Sequence, residues 1–165
     1  MDNIDQLKKF WSKKRVFVTG HTGFKGSWLC LMLSYLNSKI HGYALKPEKR
    51  SLFKKANILN ELSSNTYSDI NNILKLRKEL IKSKPEIVFH LAAQPLVLDS
   101  YKDPLKTFST NIIGTLNLLE NIRYIKSIKS VVIITTDKVY KINQRSRIYK
   151  EQDPLEGSDP YSASK

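Results

Sequence analysis

The sequence predicts an α/β fold, a doubly wound parallel sheet with helices on both faces. Three observations point there. A short apolar run near the start ends in a glycine-rich turn that opens a helix. Further runs of strand length follow, separated by segments with helical spacing. These runs are mostly apolar throughout rather than at alternate positions, as strands buried on both faces are. At 165 residues the chain has room for one core-bearing domain and not for two of ordinary size.

Along the chain, Ile4, Leu7, Phe10 and Trp11 fall at helical spacing, so a short amphipathic helix packed on the domain is expected. Nothing in residues 1–14 has the apolar length of a signal peptide, and no segment reaches membrane-spanning length. Val16 to Val18 is the first strand. It breaks at Gly20, and Gly23 and Gly26 follow before the apolar helix pattern of Trp28 to Leu36. One glycine permits the sharp turn, one lets a ligand phosphate approach bare backbone, and one lets the helix pack closely on the strand. The helix N-terminus then presents N–H groups to a pyrophosphate. The spacing is G-x-x-G-x-x-G rather than the usual G-x-G-x-x-G. Cys30, the single cysteine, lies among leucines on this helix and reads as a buried thiol. A disulfide framework is excluded, and a reducing cytoplasm suits the composition.

Lys39 to Leu45 is the second strand. An acidic residue at its end would hold ribose hydroxyls, but the chain runs into Leu45, Lys46 and Pro47. Lys46, Lys49 or Arg50 would instead suit a ribose phosphate, and the preference stays open. Ser51 to Leu62 reads as helix and Asn65 to Ser68 as a short strand. Asp69, beside Ile70, either meets an adenine amino group or caps the helix carrying Ile73, Leu74, Leu80 and Ile81. Both readings stand.

Ile87 to Leu91 is a fourth, buried strand, with His90 in its apolar run as a core residue. Small residues at its exit, Ala92 and Ala93 before Gln94, let a dinucleotide lie close to the backbone. Pro104 to Ile122 is a long helix carrying Phe108, Ile112, Leu116 and Leu119, with Asn111 and Gly114 on it. Val131 to Thr135 is a fifth buried strand. Lys141 to Pro160 is a long polar connection, of the kind that is functional or mobile in compact domains.

The net charge of +13 invites a nucleic-acid reading, but the lysines are scattered along the chain, with no basic stripe, helix-turn-helix or zinc spacing. A lysine-rich solvated surface explains them, and it attracts an anionic nucleotide substrate. Neither a nucleic acid nor a membrane partner is expected, and no metal site.

Chemistry concentrates late in the chain. Thr135, Thr136, Asp137 and Lys138 leave the fifth strand with a hydroxyl, a carboxylate and an ammonium, groups suited to proton transfer beside a cofactor. Tyr161 and Lys165, four apart, share a helical face. An ammonium there favours tyrosinate, a base for an alcohol proton.

With these motifs in this order the chain resembles the extended short-chain dehydrogenase/reductases, a Rossmann-like family. The resemblance rests on Thr19 to Gly26, Phe89 to Gln94, Asn111 with Gly114 and Thr115, and Tyr161 to Lys165. Within that family it looks most like the CDP-glucose 4,6-dehydratases, through His21 and Lys25 in the glycine loop, the Asp137–Lys138 pair and the run Asp153 to Lys165.

The resemblance implies NAD as cofactor, CDP-glucose as substrate and a redox-neutral dehydration that yields the 4-keto-6-deoxy sugar. It places the cofactor on Gly20, His21, Thr22, Gly23, Phe24, Lys25 and Gly26, on Asp69 and Ile70, on Leu91, Ala92, Ala93 and Gln94, and on Asn111, Tyr161 and Lys165. Tyr161 would take the C4 hydroxyl proton and Lys165 would hold the ribose. Thr136 would bond the same sugar oxygen, and Asp137 would protonate the departing C6 hydroxyl. Lys138 stands where dTDP- and GDP-sugar dehydratases carry a glutamate, and would either act on C5 as the free amine or leave C5 to another group. A UDP-N-acetylglucosamine 4,6-dehydratase is the alternative, though its Tyr–Lys motif follows after a much shorter gap. An epimerase would not need the Asp–Lys pair. The resemblance also implies that residues 1–165 are a dinucleotide-binding domain, incomplete at its C-terminus and lacking a substrate domain. The full-length enzyme would be a cytoplasmic homodimer, and this chain alone an inactive nucleotide-binding fragment.

Overall fold

The structure is a computed structural model and describes residues 2–141 and 148–165. At its centre are five strands, β1 (Arg15–Thr19), β2 (Lys39–Ala44), β3 (Ser64–Tyr67), β4 (Ile87–His90) and β5 (Ser130–Ile133). They form one sheet in the order β3-β2-β1-β4-β5, every pair parallel. Parallel neighbours need crossovers, and helices supply them.

Alternation along β1 divides the core. Val16 and Val18 join Cys30 and Leu33 of α2 (Phe24–Tyr35) and Phe53 of α3 (Leu52–Lys55) on one face. Phe17 joins Leu76 and Leu80 of α4 (Ile73–Ser83) on the other. Each such side chain, fully buried, contributes about 1.5–3 kcal/mol against the entropy of ordering the chain. Burial pushes the Cys30 thiol up to about 12, so it stays protonated.

Several elements depart from the sequence reading. The N-terminal helix, α1 (Asp2–Trp11), docks only by its end. Trp11 packs against Phe89 with ring centres 6.2 Å apart, while Ile4, Leu7 and Phe10 remain exposed. Helix α2 starts at Phe24, so Gly26 lies in its first turn. The helix expected over 51–62 is two pieces, α3 and a 3-10 turn Ile58–Glu61, because Asn57 adopts a left-handed φ of 50° between them. Asp69 caps nothing. Asn72 caps α4 by accepting from Lys75 N, and Asp69 Oδ1 accepts from Asn71 N at 2.8 Å.

A helix not foreseen, α5 (Val97–Lys102), ends at Asp103, which caps the next helix by accepting from Lys106 N. That next helical stretch, 104–122, is interrupted. It runs as α6 (Pro104–Phe108), a π-helical turn (Ser109–Ile113) and α7 (Gly114–Ile122), whose Leu118 enters the second core. Strand β5 is not the buried strand expected: its residues are half-buried or exposed, Val132 by 38%. Among the described residues it is the sheet's edge, with β4 on one side only. Part of the polar connection over 141–160, residues 142–147, lies outside the described residues. Its two ends are joined by a bridge between Tyr140 and Leu155 and an ion pair of Lys141 with Glu156 at 2.7 Å. Among the described residues no helix is long and apolar enough to cross a membrane.

Candidate active site

From β1 the chain passes to one side of the sheet and from β4 to the other, so a crevice opens between their carboxyl ends. Ligands bind at such switch points. Gly20 turns there with φ 71°, and a β-carbon on it would lie 2.6 Å from Ala92 N. On Gly26 a β-carbon would lie 2.3 Å from Gly20 O. These two glycines let loop, α2 and the β4 exit close on one another. Gly23 is different. A β-carbon there would meet only Gly20 O, at 3.3 Å, so this is the glycine with open space above it, where a phosphate can approach. Among the described residues no side chain caps α2, so the N–H groups of its first turn have no side-chain partner there.

The crevice continues into a cleft of about 810 Å³. Its walls carry Gly20 and Thr22 to Gly26, Asp69 and Ile70, Leu91 to Ala93, and Tyr161 and Lys165. The cradle fits a dinucleotide: open glycine backbone, an uncapped helix start, small residues at the β4 exit, and room. Thr22 Oγ1 donates to Leu45 O at 2.9 Å, tying the loop to the end of β2. Tyr43 donates its hydroxyl to Asp69 O at 3.0 Å and so fixes the opposite wall.

Three residues expected on the cofactor do not line the cleft. The His21 side chain is fully buried beneath the loop, its Nε2 2.7 Å from Asn65 Oδ1 and its ring edge-on to Phe53. Burial holds this ring below its ordinary pKa, against the raising effect of the Asn65 bond. Gln94 turns back to bond Leu96 O and Thr107 Oγ1, each at 3.0 Å. Asn111 accepts from Gln94 N at 2.8 Å and donates to Ser164 Oγ at 2.7 Å, so it joins the β4 exit to the segment that bears Tyr161. Each side chain is committed to a partner behind the wall.

His90 belongs to the same inner layer. Its Nδ1 is 2.7 Å from Thr19 Oγ1 and its Nε2 is 2.9 Å from Thr115 Oγ1. Thr115 donates its own hydrogen to Asn111 O at 2.6 Å, so it accepts from His90, which therefore carries its proton on Nε2. Burial, then the charge of Lys165, lowers this ring to about 4.

The catalytic candidates fall into two groups. Tyr161 and Lys165 are on the cleft wall. Helix α8 (Pro160–Ala163) opens with a capping box, in which Asp159 accepts from Ser162 N and Ser162 Oγ accepts from Asp159 N. Lys165 Nζ donates to Ile134 O at 2.7 Å, and burial followed by the nearby Lys25 charge lowers its pKa. The other group, Thr136, Asp137 and Lys138, forms a 3-10 turn (Asp137–Val139) that packs beside α8 and does not line the cleft. Thr136 caps this turn, accepting from Lys138 N at 3.3 Å and donating to Asp137 Oδ1 at 3.2 Å. Thr135, one residue earlier, is on the wall instead.

The sequence reading placed Thr135 in the group leaving β5 but gave the sugar-oxygen contact to Thr136, and it passed over Tyr43, which also lines the cleft. Thr135 had a signal, since it is the last residue of the run leaving β5. Tyr43 had none: its hydroxyl finds Asp69 only because β2 and β3 are neighbours.

A family model described as GDP-mannose 4,6 dehydratase matches residues 17–165. The chain is 51% identical over 159 residues to the CDP-glucose 4,6-dehydratase of Salmonella typhimurium, covering 96% of this chain and 44% of that protein. It is 34% identical to the dTDP-D-glucose 4,6-dehydratase of Dictyostelium discoideum, covering 100% of this chain and 40% of the relative. Among solved structures, the UDP-glucose 4-epimerase of Thermus thermophilus in complex with NAD matches with a TM-score of 0.78 at 28% identity, over 90% of this chain and 46% of that one. The chain thus spans less than half the length of the curated relatives it matches.

Proposed function

Because this chain belongs to the GDP-mannose 4,6 dehydratase family, we propose that the protein it represents is a nucleotide-sugar 4,6-dehydratase acting on CDP-glucose. The observation that carries the reading is the meeting of the glycine loop, Tyr161 and Lys165 on one cleft at the switch point of the sheet. The 51% identity to a CDP-glucose 4,6-dehydratase supports the choice of sugar nucleotide.

The loop and the α2 N-terminus would hold NAD, which when bound would supply reversible hydride acceptance. The chain's own residues manage protons. Tyr161 takes the proton of the sugar C4 hydroxyl, and Lys165 holds the ribose and keeps an ammonium beside the base. With a carbonyl at C4 the C5 proton becomes acidic, and hydroxide leaves C6 with a proton from Asp137. Lys138 is assigned the C5 side. Thr136, or Thr135 beside it on the wall, bonds the C4 oxygen. Residues 1–165 act as the dinucleotide domain of a longer, dimeric, cytoplasmic enzyme whose remaining part reads the base.

Incubating the full-length protein with CDP-glucose in D₂O tests this. The expected product is lighter than substrate by one water and carries one deuteron at C5. Recovery of unchanged CDP-glucose, or of its C4 epimer, would sink the assignment.

A further inference from the structure

We propose that His90 is a positioning residue for the dehydration, one that fixes the Tyr161–Lys165 segment relative to the glycine loop from behind the cleft wall. The inference rests on the dehydratase reading above.

A buried histidine in an apolar strand is ordinarily a core residue, its nitrogens satisfied by whatever partners lie near. Here the partners on both sides belong to the site. Thr19 ends β1 and directly precedes Gly20. Its Oγ1 accepts from Leu91 N and Ala92 N, each at 3.2 Å, and so clamps two residues of the cleft wall. With both lone pairs taken, Thr19 turns its hydrogen to His90 Nδ1 at 2.7 Å. That bond requires the ring proton on Nε2, the same tautomer that Thr115 selects from the other side of the ring. Two independent sets of neighbours therefore demand one state of His90.

Beyond Thr115 the bonds continue to the catalytic segment. Thr115 donates to Asn111 O at 2.6 Å, and Asn111 Nδ2 donates to Ser164 Oγ at 2.7 Å. Ser164 Oγ in turn donates to Tyr161 O at 2.7 Å. Thr19, His90, Asn111 and Ser164 are buried, so each lost partner leaves a polar group unpaired away from water. A hydrocarbon side chain in place of His90 fills the space but cuts the series at its centre, freeing Thr115, Asn111 and Ser164 to shift together. A displacement of about 1 Å at a proton-transfer group costs on the order of 10²-fold in rate.

Three variants of the full-length protein, assayed with CDP-glucose, test this. His90→Leu removes both ring bonds, Thr115→Val removes the hydroxyl that links the ring to Asn111, and His90→Gln keeps one acceptor and one donor. His90→Leu and Thr115→Val should lower kcat by about 10–100-fold, with KM and calorimetric NAD⁺ affinity changed by less than about threefold. His90→Gln should recover most of the kcat, and His90→Leu/Thr115→Val should be no worse than the poorer single variant. In ¹⁵N spectra of histidine-labelled protein, His90 should carry its proton on Nε2 alone. A core role without positioning would lower the melting temperature and leave kcat within about twofold, or would make His90→Gln no better than His90→Leu. Either result overturns the proposal, as does a proton on Nδ1. Should His90→Leu fail to fold, the kcat of Thr115→Val decides by the same limits. Failure of the wild-type protein to convert CDP-glucose would instead overturn the dehydratase reading, and this inference with it.

Discussion

The imidazole of His21 lies against the α-carbon of Gly42, so close that a β-carbon there would sit 2.7–2.8 Å from three ring atoms. With its Nε2 on Asn65, the ring keys the glycine loop to β2 and β3 at once. Gly42→Ala should therefore cost about 1–3 kcal/mol, the usual penalty of overpacking, and weaken dinucleotide binding by displacing the loop. Thermal melts of Gly42→Ala, His21→Ala and the double variant would decide it. The double should lose clearly less than the sum of the singles; simple additivity would mean that the ring is not the obstacle.

Gly20 and Gly23 should fail in opposite ways. Gly20→Ala places a side chain at φ 71° and drives it into the Leu91–Ala92 backbone, so it should lower stability by more than about 2 kcal/mol. Gly23→Ala meets only one oxygen at 3.3 Å and should leave the melting temperature within a few degrees. Because its methyl would stand where a phosphate approaches, its dinucleotide affinity should nevertheless fall at least about tenfold. Equal melting temperatures for the two variants would contradict this division.

Acid should destabilise the fold through His90. The unfolded ring titrates near 6.5 and the folded one near about 4, so between these values the unfolded chain binds a proton that the folded chain does not. The contribution is complete above about pH 6.5 and is lost as pH falls toward 4, amounting to on the order of 3 kcal/mol. His21 and His41, also lowered by burial, steepen the same slope. Urea midpoints at about pH 7.5 and 5.5 should show it, and His90→Gln should flatten the difference.

Tyr161→Phe separates chemistry from folding. Among the described residues no hydrogen bond of the phenol hydroxyl supports the fold, and the α8 capping box lies on Asp159 and Ser162 instead. In the full-length enzyme kcat should fall by about 10²–10⁴-fold with KM little changed. A variant retaining most of its kcat would remove Tyr161 from the proton transfer.

Much of this was readable in the residues. The strands β1 and β4 announce themselves as unbroken apolar runs, and the glycine loop, Asp69–Ile70 and Tyr161–Lys165 reach the same cleft, though they are far apart in sequence. What escaped the reading depends on neighbours rather than on period. Ile58 and Phe53 suit one helix as well as two, and only the left-handed turn at Asn57 separates them. Val131 to Ile133 are as apolar as Ile87 to Phe89, yet only β4 has strands on both sides. His21 sits inside a loop motif, and nothing local says that its ring points inward, because the space it fills is made by Gly42 on another strand. Asn111 reads as a helix-face residue until Gln94 and Ser164 close around it.

The π-helical turn at Ser109–Ile113 bears on how this chain tolerates insertions and deletions. A wide turn of this kind holds one residue more than the α-helix around it, and confines that surplus to a single place. Elsewhere in 104–122, losing a residue would swing everything downstream by about 100° and carry Leu118 out of the core. Within the turn, a one-residue deletion can be absorbed by tightening to regular helix, leaving Leu118 in phase. What that shortened chain would forfeit is the offset of Asn111, and with it the clasp on Ser164. The fold can outlive such a deletion, but the alignment of the Tyr161 segment cannot.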